Sequence, residues 1–189
     1  MKIYTPELML ILLASLLMTS PCHALDADSA SSKADPDTLV LEWPDLIPED
    51  FSPEALIDQI AKKYDISNLN DSDETAMKIL EEMQTAMASA PVKDELDGKR
   101  IKLPGFTIPL ESNGETATEF LLVPYFGACI HVPPPPSNQI VYGISEKGVT
   151  MKTLFEPVWV TGKLSVKGKL SEFANAGYTL SVDEVEPYQ

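Results

Sequence analysis

The chain has 189 residues, of which 44% are hydrophobic and 16 are prolines, and its formal net charge is −15. That length supports one domain with a real core, and the proline content favours short strands and punctuated loops over long helices. The charge disfavours nucleic acid and anionic membrane as partners and favours solubility, cations or basic partners.

The amino end, Met1-Lys2-Ile3-Tyr4-Thr5-Pro6, leads into an almost unbroken apolar stretch from Leu8 to Met18 and then Thr19-Ser20-Pro21-Cys22-His23-Ala24. This is the grammar of a cleavable signal peptide over residues 1–24. The apolar run is too short for a transmembrane helix, which needs ~20 residues. Ala24 supplies the small residue at the cut, and Pro21 directly before Cys22 argues against a lipidation site. The expected mature protein starts at Leu25, lies outside the cytoplasm and does not span a membrane.

Charge is unevenly spread along that mature chain. Residues 25–96 carry 18 acids against 5 bases, a net of −13, whereas residues 97–189 carry 10 against 8, a net of −2. Residues 25–37 are Ala, Ser and Asp with little apolar content, the composition of a disordered leader. Residues 38–96 then read as a docked arm followed by a helical hairpin. In the arm, Trp43, Leu46 and Ile47 sit among Pro44 and Pro48 and would be a costly exposed patch unless they dock on a core.

Ser52-Pro53-Glu54 is a helix start, with a serine cap, a proline at the first helical position and an acid near the positive end of the dipole. Leu56, Ile57, Ile60, Ala61 and Tyr64 fall on one face of that helix. A second start at Asp71-Ser72-Asp73-Glu74 precedes Ala76, Ile79, Leu80, Met83, Ala86 and Met87 at the same period, ending before Pro91. Asn68, Asn70, Asp71, Asp73 and Glu74 resemble a calcium loop only in composition. The central glycine and the distal bidentate glutamate are out of register, so capping is the better reading.

From Asp97-Gly98 the period changes to that of strands. Lys99–Pro109, with Pro104-Gly105 marking a bulge or sharp bend, is followed by β-rich runs at Thr118–Val123, Gln139–Ser145, Pro157–Val166 and Tyr178–Val185. Five short strands over residues 97–189 predict a small OB-like antiparallel barrel. The fold class is therefore α+β, a five-stranded barrel preceded by a two-helix hairpin, with a sandwich fragment as the alternative.

Between the second and third of these strands lies Val123-Pro124-Tyr125-Phe126-Gly127-Ala128-Cys129-Ile130-His131-Val132-Pro133-Pro134-Pro135-Pro136-Ser137-Asn138-Gln139. Four consecutive prolines stiffen it into polyproline II. With Cys22 and His23 removed, Cys129 and His131 are the one thiol and the one imidazole of the mature chain. In an extended backbone they share a face, about 7 Å apart. An intramolecular disulfide is impossible, and no CxxC redox motif is present.

Three readings of the pair stay open. Cys129 is a small buried hydrophobe and His131 a hydrogen-bonded loop residue; or the two are half of a zinc or copper shell completed from elsewhere; or His131 activates Cys129 as a nucleophile. The third would need an orienting residue, for which Asn138 or Gln139 is available. Tyr125, Phe126, Pro133, Pro134, Pro135, Pro136, Asn138 and Gln139 together make a rigid surface, which either docks another envelope protein or packs on the chain's own barrel. No catalytic constellation stands out, and the protein is expected not to be an enzyme.

The chain resembles a mainly proteobacterial family known as domain of unknown function 3299. The likeness rests on Trp43-Pro44-Asp45-Leu46-Ile47-Pro48, on Pro104-Gly105-Phe106 with Pro109-Leu110-Glu111, on the whole run from Val123 to Tyr142, and on Pro157-Val158-Trp159-Val160-Thr161-Gly162. That resemblance implies an exported protein, often found beside transport components, and hence a transporter component or other envelope protein as partner. It carries no established catalytic residues to transfer.

Overall fold

Alternation with a period of two runs through five strands of the chain and sets which side chains face inward. A computed structural model describes residues 36–64, 74–128, 135–150 and 156–188, all within one compact unit, Ala34–Gln189. The expected signal peptide, most of the leader and the Asn68–Asp73 segment lie outside the described residues.

The main strands are β2 (Arg100–Ser112), β3 (Thr116–Val123), β4 (Val141–Thr150), β5 (Val158–Ser165) and β8 (Tyr178–Pro187). They are hydrogen-bonded in the order β2-β3-β4-β8-β5, and β5 returns to β2 to close the barrel. The pairs are antiparallel except β4 with β8, which run parallel over Val141–Ile144 and Tyr178–Ser181. This is the Greek-key closure of an OB-like barrel, as the sequence led us to expect.

The bend anticipated at Pro104-Gly105 is where β2 changes partners. Arg100–Gly105 pairs with β5, and Phe106–Ser112 pairs with β3. Glycine is required there because a Cβ on Gly105 would sit 2.8 Å from the Val123 carbonyl oxygen and 2.9 Å from Leu122 Cδ1.

Ile101 and Leu103 of β2, Phe120 and Leu122 of β3, Val158 and Val160 of β5, and Tyr178 and Leu180 of β8 fill the interior. Each fully buried aliphatic side chain of this kind contributes about 1.5–3 kcal/mol. The neighbouring positions, Ile108, Leu121, Val123 and Tyr142, form a second cluster on the outer face. The sheet is therefore buried on both sides along β3.

Preceding the barrel, β1 (Leu39–Val40) lies parallel to β2, and a 3-10 turn at Trp43–Leu46 places Trp43 and Leu46 among the interior residues. The arm thus docks on its own chain. The Trp43 indole Nε1 donates to the Pro104 carbonyl at 2.7 Å, which gives the buried N–H a partner where β2 changes from β5 to β3.

Helix α1 runs Pro53–Lys63, capped by Ser52, whose Oγ accepts from the Ala55 amide at 3.1 Å. Helix α2 runs Glu74–Ala88. The two are tied by Lys63 to Glu82 at 2.8 Å and by the Tyr64 hydroxyl donating to Glu82 at 2.8 Å.

Two features differ from the sequence-based expectation. Gln139 does not begin a strand, because Ser137–Gln139 form a 3-10 turn and β4 starts at Val141. A short hairpin of β6 (Lys169–Leu170) and β7 (Asn175–Ala176) lies between β5 and β8. Its turn is organised by Ser171 Oγ, which accepts from the Phe173 and Ala174 amides.

Candidate functional site

Pro124 ends β3, and Gly127 follows in the left-handed region at φ 81°, turning the chain so that Ala128 is buried in the outer-face cluster. Phe126 meets the Phe106 ring edge-on at 6.0 Å between centroids, yet Tyr125 and Phe126 remain 43% and 56% exposed. Cys129, His131, Pro133 and Pro134 lie outside the described residues. Among the described residues there is no group of three or more His, Cys, Asp or Glu that could hold a metal ion.

The carboxyl end of this loop turns inward. Ser137 Oγ donates to the Ala90 carbonyl at 3.2 Å, Asn138 Nδ2 to the Pro91 carbonyl at 2.8 Å and Gln139 Nε2 to the Trp43 carbonyl at 2.9 Å. The Ser137 carbonyl in turn accepts from the Gly177 amide at 2.6 Å. Asn138 is fully buried. The amide nitrogens of Asn138 and Gln139 donate to the chain's own backbone, while the buried Asn138 Oδ1 finds no hydrogen-bond partner among the described residues. They clamp the arm and the segment after α2 onto the barrel.

Pro135 and Pro136 serve differently. With Ile140 behind them and Ala174 and Asn175 of β6–β7 beside them, they form one wall of a cleft of about 330 Å³. The opposite wall is the hairpin, with Pro53 and Ile57 of α1 and Leu80, Met83, Gln84 and Met87 of α2. Gln84 and Asn175 are its polar side chains. The cleft exists because the helices keep apolar faces that the barrel does not cover. No residue of α2 is fully buried, and of α1 only Ile60 is. A volume of this size with an apolar lining and a few polar groups is typical of a ligand site.

A third grouping lies on the outer face of the barrel. The Tyr142 hydroxyl donates a short hydrogen bond to Glu119, Lys169 reaches the same carboxylate at 3.4 Å, and its Nζ lies 3.9 Å from the centre of the Tyr142 ring. The hydrogen bond from Tyr142, and secondarily the Lys169 charge, hold Glu119 below the usual carboxylate range. Burial, then the bond to Glu119, pushes Tyr142 up, and Lys169 is raised chiefly through its interaction with Tyr142. With the acid ionised and the phenol and amine protonated near neutral pH, no group is poised to take or give a proton. The grouping fastens β6 to β3 and β4.

The amphipathic stripe that builds the hairpin wall is visible in the sequence, but there it reads as a core face, because nothing in the spacing tells how far the barrel covers it. Ala174 and Asn175 carry no sequence signal at all. Among the described residues, no helix is long and apolar enough to cross a membrane.

A comparison with curated proteins found no match. Among solved structures, the chain is similar to a crystal structure of a DUF3299 family protein from Pseudomonas aeruginosa PAO1. The two are 39% identical, with 80% of this chain and 97% of that one covered and a TM-score of 0.60. The family model described as protein of unknown function (DUF3299) matches residues 43–187, from the buried Trp43 to the end of β8. The chain therefore belongs to the DUF3299 family.

Proposed function

We propose that this is an exported, non-enzymatic binding protein of the periplasm, accessory to a transport system or other envelope complex, and that the cleft between α1–α2 and the barrel is its binding site. Its occupant is an apolar segment of a partner protein whose polar surface is basic. The observation that carries this reading is the cleft itself, with Leu80, Met83 and Met87 left accessible on a helix that buries none of its residues. Methionine suits such a wall because its flexible, polarizable side chain adapts to irregular apolar partners. The signal-peptide grammar of residues 1–24 supports export, and the net charge of −13 over residues 25–96 supports a basic partner.

The test is binding of a neutral naphthylamine dye that fluoresces in apolar surroundings, using the mature protein and its Leu80→Ser variant. Leu80 is half exposed, so the variant keeps its urea midpoint while dye affinity falls. A wild-type protein that leaves the dye dark would refute the cleft as a site. Fractionation of expressing cells, with the mature amino terminus read by mass spectrometry, tests export. A chain retained in the cytoplasm with Met1 intact would overturn it.

A further inference from the structure

Resting on the cleft as a binding site, the polar groups that line it point to the form of what binds there. We propose that the cleft receives an extended, uncharged apolar segment of a partner protein, held through its main chain by the free edge of β7 and by the side-chain amides of Gln84 and Asn175.

The pairing of the β6–β7 hairpin fixes where the edge groups of β7 point. The Ser171 amide donates to the Ala174 carbonyl at 3.0 Å, so these two residues are a close pair. Alternation makes Lys169 with Ala176 the next close pair and Leu170 with Asn175 a wide one, whose N–H and C=O groups point away from the partner strand. Gly177 continues the alternation on the same side as Asn175, and its amide meets the Ser137 carbonyl at 2.6 Å. That contact sets the outer edge of β7 against the segment that carries the cleft prolines. Pro135 and Pro136 have no N–H to offer the Asn175 carbonyl, and among the described residues β7 pairs with β6 alone.

Two side-chain amides line the same space from different walls, Gln84 on α2 and Asn175 on the hairpin. Among the described residues neither side chain has a hydrogen-bond partner. Each carboxamide carries donors and an acceptor, the complement of what one peptide group presents. No charged side chain of the described residues lines the cleft, so an ion entering it would lose hydration without gaining a partner.

Hydrogen-bond complementarity selects the occupant. A hydrocarbon chain would fill the apolar walls but leave these donors and acceptors desolvated and unmatched. A helix spends its main-chain groups internally and has none to give. An extended segment offers a free N–H and C=O at every second residue toward β7, and its alternate side chains turn toward Leu80, Met83 and Met87.

The test follows the methionine methyls and the Asn175 backbone amide of the full mature protein by NMR. The titrant is a blocked, uncharged peptide of alternating leucine and threonine. A second peptide of the same sequence is N-methylated through its centre, which removes main-chain donors and keeps the side chains. The plain peptide is expected to shift the Met83 and Met87 methyls and the Asn175 amide saturably and to displace the naphthylamine dye. The N-methylated peptide should bind about tenfold more weakly, as loss of one or two hydrogen bonds implies. Gln84 is exposed, so Gln84→Met keeps the fold and should weaken the plain peptide severalfold while leaving dye affinity unchanged. Equal binding of the two peptides would overturn main-chain recognition. Concentration-dependent methyl shifts of the free protein would overturn the partner in favour of a second copy. If the dye binds but the plain peptide does not, the extended segment is wrong and the cleft stands. If neither binds, the cleft itself fails as a site.

Discussion

Trp43 is 8% exposed, and its single hydrogen-bond donor is committed to Pro104. Two separable costs follow from replacing it. Trp43→Phe keeps most of the packing but leaves the Pro104 carbonyl without its donor, at about 1–3 kcal/mol. Trp43→Ala adds a cavity and should cost about 3–5 kcal/mol. Urea unfolding of the two variants would separate these terms, and equal losses would show that the ring's packing contributes nothing beyond the hydrogen bond.

Glu119 tests a different quantity at the same scale. Its acidity is increased in the folded state, mainly by the Tyr142 hydrogen bond, so its contribution is present at neutral pH and is lost as pH falls through the lowered value. Lys169 is shifted upward, so its contribution is present below the ordinary lysine range and lost as pH rises through the raised value. Protection factors in β6–β7, normalised to the intrinsic exchange rate at each pH, should therefore fall on acidification below the usual glutamate range before those of the barrel strands, and Glu119→Gln should flatten that acid limb. A hairpin whose protection is the same in the variant at every pH would show that the grouping does not fasten it.

Among the elements, the 3-10 turn Ser137–Gln139 has an influence out of proportion to its length. Its side chains reach Ala90, Pro91 and Trp43, so one turn joins the arm, the end of the helical region and the start of β4. Asn138→Ala removes the donor to Pro91 in a fully buried setting and is expected to cost about 1–3 kcal/mol, read as a drop in urea midpoint.

This turn also marks where sequence reading stops. The five barrel strands are legible because inward and outward positions alternate in each, and the Pro104-Gly105 bend is legible because no uninterrupted strand carries that pair. The α1 start is legible in Ser52-Pro53. In contrast, Ser137-Asn138-Gln139 after four prolines reads as an exposed polar loop. Its partners lie between 47 and 96 residues away in sequence, and a local pattern holds no trace of them. For the same reason the sequence leaves open whether Asn138 and Gln139 face a partner or pack on their own chain, where the structure has their amide nitrogens donating to Pro91 and Trp43.

At the scale of the whole molecule, burial is divided unevenly between the two halves. The barrel encloses one apolar cluster and covers a second on its outer face, while among the described residues of the two helices one side chain, Ile60, is buried. Local stability follows buried apolar contact, so the two halves should open at different free energies. Native-state hydrogen exchange is expected to show α2 amides opening by a sub-global route well below the cost of exposing β3 and β5. Saturation with a cleft ligand should raise protection in α1 and α2 selectively, because binding to the closed hairpin adds its free energy to the opening step. If α2 instead exchanged only with global unfolding, the hairpin would be part of the barrel's cooperative unit, and its accessible methionines would be surface residues of a rigid body. The proposed cleft site thus predicts a helical hairpin less stable than the barrel, since its wall must yield to admit an occupant while the barrel holds the opposite wall in place.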